Sequence, residues 1–329
     1  MANFNDIVGQ DHIKAHLQKA LNLNKVSHAY IIEGEKYSGK KFISRIFAAS
    51  LLCTGEGEVP CGKCQSCIQA LTNNNPDIME LSHEKPSVIS VGEIRQQIND
   101  NIHINPYYGK RKIYIIDEAE KMNEQAQNAL LKTFEEPPEY AVIMLLVTNI
   151  GELLPTIQSR AVKLTMYPVK DSLVKKYLME KAHVPDYKAD MCASFARGNL
   201  GKALLLSENA DFEQTITDVT DILKQIKKRD VIEINEYIKQ ISKYKDSYEE
   251  VFDIMLTWFR DVCFYKSTGN KDTLIFKDDI QYIKEAASES DYEAIQKVIN
   301  MIDISKRRIA SNVNFELTME LLFLTIQEM

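Results

Sequence analysis

The run His28-Ala29-Tyr30-Ile31-Ile32-Glu33-Gly34-Glu35-Lys36-Tyr37-Ser38-Gly39-Lys40-Lys41 organises the N-terminal half of this chain. His28 to Ile32 reads as a short apolar strand that enters a glycine-containing turn. From Lys40 to Leu52, Phe42, Ile46, Phe47 and Leu51 repeat at helical spacing. Strand, glycine turn and helix in that order form the setting of a phosphate-binding loop (P-loop), where backbone N–H groups cradle phosphates and a lysine neutralises them. Gly34, Gly39 and Lys40 occupy the required positions. The last position departs: a serine or threonine hydroxyl should reach Mg²⁺, and Lys41 stands there instead. An ammonium has no lone pair to donate and adds positive charge where the cation belongs. The expectation is a degenerate P-loop that binds ATP and Mg²⁺ poorly or not at all.

Working outward, helical and strand patterns alternate. Asp11 to Asn24 carries Ile13, Leu17, Ala20 and Leu21 on one helical face. Ile78 to Leu81, Lys112 to Ile116, Val142 to Val147 and Ala161 to Met166 read as strands. Ser90 and Glu93 form a capping-box pattern that opens a helix through about Ile98. Another helix, Asn123 to Glu135, is stopped by Pro137 and Pro138. Apolar strands alternating with helices imply a mostly parallel sheet covered on both faces. From about Tyr167 only amphipathic helices remain. Phe212, Ile216, Val219, Leu223 and Ile226 make one stripe, and Tyr248, Phe252, Met255, Leu256 and Phe259 another. Ile295, Val298, Ile299 and Ile302 make a third, and Phe315 to Ile326 a fourth. The expected partition is an α/β domain over 1–166, a small helical domain over 167–209 and an all-α domain over 210–329.

The 329 residues suit two or three domains. At 45% hydrophobic and 26% charged, the composition is that of a chain with a well-filled core. With 40 basic against 47 acidic residues the net charge is −7, which argues against tight, self-sufficient nucleic-acid binding. Met1 to Val8 lacks the basic stretch and apolar run of a signal peptide, and no run is long enough to span a bilayer. A soluble, cytoplasmic protein with no membrane partner is expected.

Ile113-Tyr114-Ile115-Ile116-Asp117-Glu118 has the form of a Walker B strand. In an ATPase Asp117 would hold the Mg²⁺ shell and Glu118 would orient or deprotonate the attacking water. Thr148-Asn149 ends the next strand and can place Asn149 near a γ-phosphate. The base position is present while the metal-ligand hydroxyl is missing.

Four of six cysteines crowd into C-x7-C-x2-C-x2-C: Cys53, Cys61, Cys64 and Cys67, among Gly55, Gly57, Pro60 and Gly62. Thiolates bunched in this way can surround a tetrahedral Zn²⁺, and the glycines allow the turns. An iron–sulfur cluster is the rival. Its ferredoxin run needs a further cysteine three residues on, then proline, and Cys67 is followed by Ile-Gln-Ala-Leu. Four thiolates leave no open position, so a structural zinc module over 53–67 is expected. Cys192 and Cys263 read as small buried hydrophobes.

Taken together these residues resemble the AAA+ clamp-loader subunits of bacterial DNA polymerase III. The resemblance is carried by Ile7-Val8-Gly9-Gln10, the His28-Ala29-Tyr30 strand, the P-loop, the four-cysteine insert and Ile115 to Glu118. It continues through Asn128 to Pro138, Thr148-Asn149, Pro155 to Arg160, and Asn312-Val313-Asn314-Phe315 leading into the last helix. It implies an AAA+ domain, a helical lid over 167–209 and an oligomerising collar over 210–329. It also implies that Ser159 and Arg160 form the family's Ser-Arg pair, the arginine acting as a finger in a neighbour's ATP site. Ala161 stands where the family has cysteine.

Three departures favour a non-motor subunit over an ATP-hydrolysing gamma/tau motor. Lys41 spoils the P-loop, Gly201 replaces the second-sensor arginine, and the chain ends soon after the collar. Such a subunit would lack ATPase activity of its own. It would assemble with motor subunits and delta within the polymerase holoenzyme, helping to open the sliding clamp and load it on primed DNA. The alternatives are an active clamp-loader ATPase using Lys40, Asp117 and Glu118, and a zinc-stabilised adaptor outside replication.

Overall fold

A computed structural model describes residues 2–82, 87–228, 231–271 and 274–329. They form two compact units: residues 1–183 with 197–203, and 184–196 with 204–329. The segment 167–209 contributes to both.

In the first unit, five parallel strands run in the order β2-β3-β4-β1-β5. They are β1 (Ala29–Glu33), β2 (Ile78–Glu80), β3 (Lys112–Ile116), β4 (Ala141–Val147) and β5 (Val162–Thr165). β4 is buried throughout, and its unbroken apolar run reflects a sheet covered on both faces. The period of two sorts the side chains. Tyr30, Ile32, Ile113, Ile115, Val142 and Met144 face one core with Ile13, Leu17, Ile43, Ile46 and Phe47. Ala29, Ile31, Tyr114, Ile116, Ile143 and Leu145 face the other with Ile94, Ile98, Ala126, Leu130 and Phe134.

The first of those cores is covered by α1 (Asp11–Asn22) and α2 (Lys40–Leu51). α3 (Gln65–Leu71) closes the cysteine insert. The second core is covered by α4 (Val91–Ile94) and α5 (Glu124–Glu135). The expected capping box is present: Glu93 N–H donates to Ser90 Oγ, and Ser90 N–H donates to Glu93 Oε2 at 2.6 Å. The helix it opens is four residues long and passes into a wider π-type turn over Arg95–Asn99, where amphipathic spacing alone suggested one helix. Asn123 caps α5 through Ala126 N–H at 2.8 Å. α6 (Pro155–Gln158) and α7 (Asp171–Glu180) complete this unit, except for the start of α9.

The second unit is all-helical: α8 (Asp186–Ala196), most of α9 (Leu200–Glu208), α10 (Phe212–Gln225), α11 (Val231–Ser242), α12 (Tyr248–Thr268), α13 (Ile280–Glu289), α14 (Tyr292–Ala310) and α15 (Phe315–Gln327). α12 packs against α10, α13 and α14, and α15 against α11 and α14. The stripes read from the sequence supply this core: Phe212, Val219, Phe252, Met255, Phe259, Ile295, Val298, Ile302 and Phe323 are all buried. Asp291 and Asn314 cap α14 and α15 through Ala294 and Leu317 N–H groups.

Candidate functional site

The P-loop links β1 to α2. Gly39, at φ +94°, lies in the left-handed region where a Cβ is disfavoured, and it caps the helix without a side chain. Lys40 is 9% exposed. Its Nζ donates to Gly34 O at 2.7 Å and Glu35 O at 2.8 Å, carbonyls of its own loop. Burial lowers the Lys40 pKa, against the opposing carboxylates of Glu120, Asp117, Glu118 and Glu35. The segment over 197–203, which joins α8 to α9 and belongs to the first unit, closes over the same loop. Asn199 Nδ2 donates to Lys36 O at 2.8 Å, and a Cβ on Gly201 would stand 2.2 Å from Tyr37 O. Only glycine allows that approach, so an arginine at position 201 would displace the loop.

The Lys41 side chain reaches the ends of β2 and β3. Its Nζ lies 3.0 Å from Glu80 Oε2 at the end of β2 and 3.7 Å from Asp117 Oδ2 just beyond β3. Arg45 grips the same Glu80 carboxylate with Nε at 2.5 Å and Nη2 at 2.9 Å. Burial works against the Glu80 carboxylate, but hydrogen bonds from Arg45 and Lys41 outweigh it and hold the group below its ordinary pKa. Lys41 and Arg45 together place positive charge beside Glu80 and Asp117, and a lysine at position 41 offers no oxygen ligand to Mg²⁺.

The remaining ATPase-like positions are engaged locally. Glu118, at φ +51°, pairs with Lys121 at 2.5 Å. Thr148 Oγ donates to Glu120 Oε1 at 2.7 Å, and Asn149 Oδ1 accepts from Gly151 N–H at 2.9 Å. Reasoning from sequence missed Glu80, Arg45, Glu120 and Asn199. Glu80 had one available signal: a carboxylate ending a parallel strand beside Asp117, where such sheets converge their ligand groups. Gln127 was missed too. Its buried amide donates to Met122 O and Glu152 O and accepts from Leu154 N–H at 2.7 Å, tying the Walker B turn to the segment that carries Arg160.

Ser159 and Arg160 follow α6. Ser159 Oγ donates to Thr156 O at 3.0 Å. Arg160 Nη1 donates to that same carbonyl at 3.0 Å, and Nη2 to Glu135 Oε1 at 2.9 Å. The arginine side chain is 37% exposed.

Cys53, Cys61, Cys64 and Cys67 come together, their sulfurs all within 4.8 Å of one another. A tetrahedron of thiolates about 2.3 Å from a zinc has edges of about 3.8 Å, so the cluster has the size of a four-sulfur metal site. Gly55 lies so close that a Cβ there would meet Cys61 Sγ at 2.5 Å. Backbone N–H groups of Cys61, Cys64 and Cys67 point at the preceding sulfurs at 3.4 to 3.5 Å. Burial opposes a Cys64 thiolate, yet donors from Thr54 and Cys67 outweigh it and bring the thiol to about 5. Burial pushes the Cys67 and Cys53 thiols up. Thiolates this close repel unless a cation sits among them, and these four residues can hold one metal ion.

A P-loop between β1 and α2 of a five-stranded parallel α/β unit, with a helical second unit, defines a subunit of AAA+ architecture. The family model described as DNA polymerase III, delta subunit matches residues 9–170, and its C-terminal counterpart matches 212–328. The delta' subunit of Bacillus subtilis DNA polymerase III is 29% identical over 97% of this chain and 96% of that protein. The tau subunit of the same organism is 28% identical over 93% of this chain but only 58% of its own length. A gamma-subunit-related protein from Thermotoga maritima shares the fold, with TM-score 0.52 and 21% identity over 95% of this chain and 98% of that one. The chain belongs to the clamp-loader subunits of bacterial DNA polymerase III. No helix among the described residues is long and apolar enough to cross a membrane.

Proposed function

We propose that this chain is the delta-prime-type, non-motor subunit of the clamp loader. The observation that carries the reading is the Lys41 ammonium lying between Glu80 and Asp117, where an ATPase subunit needs a divalent metal. The close approach of Gly201 to Tyr37 and the engagement of Lys40 by its own loop support it. In this reading 1–166 is the AAA+ domain, 167–209 the lid and 210–329 the collar that joins the ring. Arg160 serves a neighbouring motor subunit's ATP site as a finger, with Ser159 beside it. The Cys53, Cys61, Cys64 and Cys67 cluster holds a structural Zn²⁺. The subunit works in the cytoplasm with gamma/tau motor subunits and delta, opening the sliding clamp and loading it on primed DNA.

The motor reading keeps a foothold in Lys40, Asp117 and Glu118 and in the likeness to tau. Co-purification from the cell of origin tests the assignment. A tagged copy should bring down motor and delta subunits together; recovery as a ring of this chain alone, or without either partner, would contradict it.

A further inference from the structure

We propose that Glu135 is the positioning residue for Arg160. The inference rests on the finger reading above and adds the group that makes the finger stiff. Arg160 lies in the short link between α6 and β5, where it and Ser159 are exposed. Two acceptors from different elements nevertheless fix its guanidinium: Thr156 O from α6 and Glu135 Oε1 from the last residue of α5. Both contacts are to the Nη nitrogens. They use two of the five N–H donors, and no described residue accepts from Nε–H. The guanidinium is thus held by one edge while other donors stay available to an anion.

The place of Glu135 is itself well fixed. α5 is capped at Asn123, buried through Ala126, Leu130 and Phe134, and ends before Pro137-Pro138. A helix end anchored in the core therefore sets where the finger stands. The pair is half-exposed, with side chains 37% and 53% accessible, so it is weak enough to be exchanged. A terminal phosphate carries more charge than one carboxylate and presents three acceptor oxygens. It can therefore outcompete the carboxylate for the guanidinium. Pre-ordering a long side chain spares its rotamer entropy at the moment of reaction, the same economy by which fixed dipoles favour a transition state.

The test is ATP hydrolysis by the reconstituted clamp loader, stimulated by DNA and clamp, with this subunit as parent, Arg160→Ala, Glu135→Ala, Glu135→Gln or the Arg160→Ala/Glu135→Ala double variant. Both positions are at the surface, so each variant should melt near the parent. Glu135→Ala should produce roughly half or more of the loss seen with Arg160→Ala, within about five-fold overall, in kcat rather than in KM for ATP. Glu135→Gln keeps an oxygen that accepts from Nη2 and should stay near the parent. Glu135→Ala should add nothing once Arg160 is gone, because a positioning residue acts only through its partner. Parental activity of Glu135→Ala beside a clear loss with Arg160→Ala would overturn this proposal and leave the finger standing. An equal further loss from Glu135→Ala in the Arg160→Ala background would also overturn it, by placing its effect elsewhere. Parental activity of Arg160→Ala would overturn both readings.

Discussion

Glu80 shows how much a single side chain can settle. It lies where strand ends meet, gripped by Arg45 and Lys41, and its carboxyl is held below the ordinary range even though burial pulls it upward. The folded chain therefore binds fewer protons at this site than the unfolded chain near the ordinary carboxylate pKa. The stability this confers is fully present above that pKa and is lost as pH falls through the depressed value. Glu80→Gln should lower stability near neutral pH by about 1–2 kcal/mol, since two cations lose the charge of their shared acceptor and one of its two oxygens. It should also make the melting temperature fall less between about pH 5 and pH 3, counted as the difference from the parent so that acid release of metal cancels. Thermal melts across that range check it; parallel curves for parent and variant would show that the network contributes nothing. Lys41 was legible in the sequence as a defect, because the loop's spacing assigned its place. Its partner Glu80 was not, because only the pairing of β2 beside β3 brings a residue 37 positions upstream to Asp117.

At the scale of elements, the strands and the helices α1, α2, α5, α10, α12, α14 and α15 were legible as periodic patterns, whereas α11, α13 and the irregular pieces were not. β3 was read from Lys112 to Ile116 and stands there, because a buried run flanked by polar residues has one interpretation. The capping box after β2 was read correctly at its start, yet the helix widens at Arg95, where side-chain spacing carries no information about backbone hydrogen bonding. The cysteine insert was legible as a cluster from spacing alone, and the fold brings all four sulfurs together. Metal binding at such a site is coupled to folding, so Cys64→Ser should abolish stoichiometric zinc and lower the melting temperature by roughly 5–10 °C. Elemental analysis of protein purified without chelator, paired with the melt, checks both points. Iron, or no metal in the parent, would remove the zinc assignment.

Across the whole molecule, an AAA+ unit in which Lys41 lies beside Glu80 and Asp117 is joined to a helical unit whose apolar stripes were plain in the sequence. The close approach of Gly201 to Tyr37 belongs to this scale, since it depends on chain 163 residues downstream of Lys36 folding back over the loop. For that reason restoring a hydroxyl with Lys41→Thr should not recover turnover: the loop would still be closed by Asn199 and Gly201, with Lys40 turned onto its carbonyls. ATP hydrolysis by the purified chain, alone and without partners, is the most direct measurement of whether this subunit is a motor. No turnover above background is predicted for the parent, and none for Lys41→Thr. Turnover at the rate of a motor subunit, abolished by Glu118→Gln, would contradict the account and make this chain a working ATPase.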